Sequence, residues 1–104
     1  MNWVVLFVAG LLEVAWAVGL KHSGGFTRPG WSAFTLVAMA GSVGMLGLAL
    51  RTLPLGTAYA VWTGIGAAGT FLVGVWFFGD PSSLGRWLGA SLIIAGVITL
   101  KLAH

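Results

Sequence analysis

Four apolar runs of about twenty residues each occupy most of this chain, and only short polar stretches lie between them. The runs cover about Asn2–Leu20, Trp31–Leu50, Leu55–Phe78 and Trp87–Leu102. They are closed in turn by "KHSGGFTRPG", "RTLP" and "GDPSSLGR". A helix needs ~20 residues to cross ~30 Å of hydrocarbon at ~1.5 Å per residue. Each run is near that length, the last on the short side. Backbone groups inside lipid must bond within the chain, so the runs are expected to be helices. Charged residues make up 7% of the sequence, whereas a soluble domain carries roughly 25%. Such a chain cannot cover a globular surface with polar groups. The expectation is an all-α integral membrane protein, one four-helix transmembrane domain over residues 1–104.

A secretory leader is the competing reading of the first run, because Ala15-Trp16-Ala17 has the outline of a cleavage site. No Lys or Arg precedes the run, and Glu13 interrupts it, so it is read as a span. The net charge of +3 arises from few and scattered residues, which form no nucleic-acid patch. Cysteine is absent, which excludes disulfides and thiol chemistry. If the N-terminus faces the cytoplasm, Arg51 and Lys101 lie inside, and Lys21, Arg28 and Arg86 lie outside. That near-tie barely selects an orientation. Insertion both ways is open, and with it an antiparallel dimer; so is one weakly preferred orientation.

Glu13 is the residue that ordinary packing explains least. A charge at the centre of a membrane helix costs ~2.5–3.5 kcal/mol or more to insert. Lys21 is the nearest base along the helix, about two turns away, ~12 Å along the axis. Acids at this depth mark ion or proton pathways; the alternative is a buried structural acid. One turn either side stand Ala9, Gly10, Trp16 and Ala17. The small residues leave room for a ligand or helix, and the Trp16 ring could face a desolvated cation.

In "PLGTAYAVWTGIG", Tyr59, Trp62, Thr63 and Gly66 fall on one helical stripe. Tyr59 is shallow enough to belong to an interfacial aromatic belt instead, and Trp62 lies deeper. Trp3, Trp31, Trp76 and Trp87 lie near run ends and are read as belt. Ser42 is mid-span, where a serine often only bonds the carbonyl one turn back. The chain has 17 glycines. Gly64 and Gly66 mark a candidate flex point in the third helix. Gly89 and Gly96 share one face of the fourth, suited to packing within the chain or between two chains. No enzyme constellation, metal-ligand cluster or cofactor motif is evident. His22 is placed in a loop, His104 is at the C-terminal end, and Asp80 sits in a turn where capping is the expected role.

"EVAWAVGLKHSGGFTR", "LPLGTAYAVWTGIG" and "GASLIIAGV" together resemble the small multidrug resistance family, in order and spacing along the chain. The resemblance implies a proton-coupled antiporter of the inner (plasma) membrane, working as an antiparallel, dual-topology homodimer. It implies that Glu13 binds proton and cation in turn, that the fourth helices hold the dimer through Gly89 and Gly96, and that the third helices flex. Trp16, Ser42 and "AVWTGIG" resemble the branch that exports guanidinium ion, with Trp16, Ser42, Tyr59 and Trp62 lining the site. The branch exporting quaternary ammonium cations usually has a small residue in place of Trp16. Two other classes share the composition: a small dual-topology ion channel, and an accessory membrane subunit. A channel would not need a titratable group at mid-membrane, and an accessory subunit would tolerate the loss of Glu13.

Overall fold

A computed structural model describes residues 2–103; Met1 and His104 lie outside the described residues. The described chain forms four helices: α1 (Asn2–His22), α2 (Pro29–Ala49), α3 (Leu55–Phe77) and α4 (Leu84–Ala103). Each is long and apolar enough to cross a membrane. Their bounds differ from the apolar runs for local reasons. Pro29 opens α2 two residues before Trp31, because proline lacks only an N–H that the first turn would leave unbonded. α4 starts at Leu84 rather than near Trp87. Ser83 caps it there, its Oγ accepting a bond from the Arg86 N–H at 3.2 Å. At the other boundary, α1 runs on past Leu20, so His22 is the last residue of a helix and not part of a loop.

The α1–α2 connection is a left-handed turn. Gly24 and Gly25 have positive φ, and so does Phe26 at 70°, a conformation that costs a non-glycine residue roughly 1–2 kcal/mol. Ser23, fully buried, holds it together. Its Oγ donates to the Leu20 carbonyl at 2.7 Å and accepts from the Phe26 N–H at 3.0 Å.

α1 lies in the middle, packed on α2 and α3, while α4 packs backbone to backbone only against α3. The extents are 40 × 34 × 17 Å, so the helices form a slab less than two helix diameters thick. Leu6, Ala9, Leu46, Ala49, Ala58 and Val61 make the tight core where α1, α2 and α3 meet. Burial then falls away toward α4, whose only buried described residue is Ala90. Gly89 and Gly96 have open space beside them. An outer face of α4 that is apolar, small and uncovered suits lipid or a second helix equally.

Candidate functional site

Glu13 stands near the middle of α1, on the side turned toward α3. Its carboxylate lies against the backbone of α3 at Gly66, close enough that a Cβ on residue 66 would overlap it. Glycine there is a condition for the acid to occupy this place. Glu13 Oε1 is buried and has no hydrogen-bond partner. The same is true of Trp16 Nε1, one turn along the same helix. A buried acceptor and a buried donor are thus left open side by side. Unpaired buried polar atoms cost about 1–3 kcal/mol each and are rare in native structures. Such atoms point to a ligand, water or second chain that completes them.

A hydrogen-bonded clasp supports this region from below. Ser42 Oγ donates to the Ala9 carbonyl at 2.7 Å, and Trp62 Nε1 donates to Ser42 Oγ at 2.9 Å. One hydroxyl therefore joins α1, α2 and α3. Ser42 is fully buried and Trp62 nearly so. This differs from the ordinary behaviour of a mid-helix serine, which bonds its own helix. The Ala9 carbonyl is one turn before Glu13, so Ser42 fixes the stretch of α1 that carries the acid and does not bond the acid itself.

The stripe on α3 divides. Trp62 and Gly66 are buried toward α1 and α2, whereas Tyr59 and Thr63 face outward. Tyr59 is 55% exposed, with its ring 5.6 Å from that of Trp62. Its hydroxyl is free to face a second chain or lipid, and it does not close the site from within this chain. Gly64 and Gly66, read as a flex point, each lie at a close approach: Gly66 to Glu13, and Gly64 to Val97 of α4. α3 runs unbroken through both.

Two features of the site are not evident from the sequence: the notch at Gly66 and the Ala9 carbonyl as acceptor. The first had a signal, since Gly66 already stood on the stripe with Trp62. The second had none, because a backbone oxygen carries no residue identity. Trp31, Trp76 and Trp87 are 41%, 65% and 36% exposed near helix ends, in keeping with an interfacial belt. Trp3 faces the Lys101 ammonium, 5.3 Å from its ring centre.

Four spans around a buried mid-membrane carboxylate, with no described base beside it, define a small membrane transporter. The Small Multidrug Resistance protein family matches residues 1–93, and the chain belongs to it. It is a multi-pass protein of the inner membrane. Among curated relatives, a guanidinium exporter of Yersinia pseudotuberculosis is 58% identical over 99% of each chain. Guanidinium exporters of Salmonella typhimurium and Proteus vulgaris are 55% and 54% identical, over 99% of this chain and 98% and 99% of theirs.

Proposed function

We propose that this chain acts as one four-helix unit, and that two copies in antiparallel arrangement exchange guanidinium ion for protons across the inner membrane. The single observation that carries the reading is the pair of open buried atoms, Glu13 Oε1 and Trp16 Nε1, at mid-span. The full-length relatives at 54–58% identity are guanidinium exporters, which favours the same cation here.

The chemistry fits the geometry. Guanidinium is planar and presents forked N–H donors that match a carboxylate bidentately. Its face can lie on the Trp16 ring. Protonation of Glu13 removes the negative charge and releases the cation, and arrival of the cation displaces the proton. Proton and cation thus share one group and cannot be bound there together. Ser42 and Trp62 hold α1 in register while this happens. Tyr59, outward on this chain, lines the site from the rim and meets the second copy. A second slab laid on the open side brings a second Glu13 to the same chamber, where two like charges resist being ionised together. Gly89 and Gly96 on the uncovered face of α4 provide the close contact between copies.

The test is a proteoliposome assay in which a guanidinium gradient is imposed and internal pH is followed. Wild type should move protons against the cation flow, and Glu13→Gln should not. Quaternary ammonium ions should be poor substrates, because they offer no N–H donors to the carboxylate. Equal transport of bulky quaternary ammonium ions would assign the chain to multidrug export. Conduction without proton coupling would assign it to the channel class.

A further inference from the structure

α1 and α4 both pack on α3 but do not meet backbone to backbone, and the space between them is open. Two hollows of about 370 Å³ each lie there. They share Phe7, Ile65, Val97 and Ile98, so they form one groove. Ile65 is its floor, seated against Gly10 of α1, and Val97 is seated against Gly64 of α3. Phe7 and Leu11 make the α1 wall, Ile94 and Ile98 the α4 wall, and all four are about half exposed. From Trp3 to Leu11 the α1 wall is ~12 Å long, at ~1.5 Å per residue. One leaflet of hydrocarbon is about 15 Å deep, half of ~30 Å. The groove thus runs from the membrane surface to nearly mid-membrane, the reach of one acyl chain.

Its lining is apolar except at the surface end. There Lys101, the one charged lining residue among the described residues, holds its ammonium 5.3 Å from the Trp3 ring centre. A lysine in the last turn of a span ordinarily reaches out to water. This one is held across the mouth of the groove, beside an indole at the depth where headgroups lie. The chain has two acidic side chains, and both are elsewhere: Glu13 lies against Gly66 and Asp80 against Gly74. No acidic side chain therefore balances the Lys101 ammonium.

The groove lies on the back of the slab. At 3.6 residues per turn, Ile94, Ile98 and Lys101 fall on one side of α4, and Gly89 and Gly96 on the opposite side. Ile65 and Leu72 are likewise opposite Tyr59 and Thr63 on α3. A pair of copies joined through Gly89 and Gly96 leaves the groove turned to lipid. An antiparallel copy seated in the groove instead would bring the end that carries Lys21, Arg28 and Arg86 level with Lys101. That end has three cations against one acid, Asp80, and repels the ammonium.

We propose that this groove binds one acidic phospholipid, its phosphate on Lys101 and one acyl chain laid over Ile65 between Phe7 and Ile98. The inference takes from the proposed function only the face on which copies meet, and needs nothing of the exchange at Glu13. A chain so placed packs on α1, α3 and α4 at once and gains contacts that the slab leaves open. In an antiparallel pair the two grooves open into opposite leaflets, so each copy takes its lipid from its own leaflet.

The test titrates phosphatidylglycerol or zwitterionic phosphatidylcholine into the delipidated dimer in mild detergent and counts bound lipids by native mass spectrometry. Wild type should bind two phosphatidylglycerols, one per copy, about fivefold more tightly than phosphatidylcholine, the factor that one basic side chain contributes at an acidic surface. Lys101→Gln should bring the two affinities together. Arg51→Gln, at the same end but outside the groove, should keep the preference. Ile98→Trp and, on the facing wall, Val4→Trp fill the groove and should lower binding of both lipids about fivefold or more, with helicity and dimer fraction as in wild type. A preference that survives Lys101→Gln, or that Arg51→Gln removes equally, would overturn the site. So would equal affinity of wild type for the two lipids, which would leave only an oily wall. Undiminished lipid binding in both tryptophan variants would place the lipid elsewhere and overturn it too. A wild-type dimer that binds neither lipid would show the groove closed between copies and sink the proposal, while leaving exchange at Glu13 untouched.

Discussion

The clasp at Ser42 can be tested by a double-mutant cycle with Trp62. Ser42→Ala removes a donor to the Ala9 carbonyl and the acceptor for Trp62 Nε1. The Ala9 carbonyl lies inside α1 and keeps its helical partner, so the group left stranded is the indole N–H. A buried unsatisfied donor costs about 1–3 kcal/mol. Side-chain hydrogen bonds within membranes average about 0.6 kcal/mol and reach about 1.7, so the expected loss for Ser42→Ala is about 1–2 kcal/mol. Trp62→Phe removes the same N–H but leaves Ser42 bonded to Ala9, and adds a packing loss. Combining the two should cost less than the sum by about 0.5–1.5 kcal/mol, because the N–H can be stranded only where it exists. Unfolding by SDS titration in mixed micelles, at one protein concentration for all four proteins, measures the cycle. Additivity within about 0.3 kcal/mol would refute the clasp.

Gly66→Ala should expel the Glu13 carboxylate from its notch and abolish or strongly weaken guanidinium binding in detergent; Gly64→Ala, which presses only on Val97, should bind nearly as wild type. Gly89→Leu or Gly96→Leu should reduce the dimer fraction on cross-linking without loss of helicity, since both glycines face open space; full dimerisation of both variants would place the interface elsewhere. Phe26→Gly should relieve the left-handed strain and raise stability by up to ~1 kcal/mol in the same SDS titration. Reporters fused to the C-terminus should show both orientations, and one strong orientation would rule out the antiparallel homodimer.

The spans were legible because hydrocarbon imposes a length and a polarity that few sequences satisfy by accident. Their ends were less so. Pro29 and Ser83 start helices by chemistry that a hydropathy pattern does not weigh, and His22 reads as loop only until the helix is seen to run past Lys21. Within the site, Glu13 announced itself by cost alone. Trp16 could be placed beside it by helical spacing. Ser42 could not be placed, because the choice between its own helix and the Ala9 carbonyl depends on how α1 and α2 pack. Gly64 and Gly66 looked alike as glycines in one helix and proved to face different neighbours. That division comes from the 3.6-residue turn together with the position of α4, which the sequence pattern does not give.

That one carboxylate serves proton and cation alternately is most directly tested by counting protons released per guanidinium bound. Isothermal calorimetry of the purified protein, run at one pH in buffers of different ionisation enthalpy, gives that count at equilibrium. Wild type should release protons as guanidinium binds, and Glu13→Gln should neither release protons nor bind the cation appreciably. Guanidinium binding without proton release in wild type, or undiminished binding by Glu13→Gln, would contradict it.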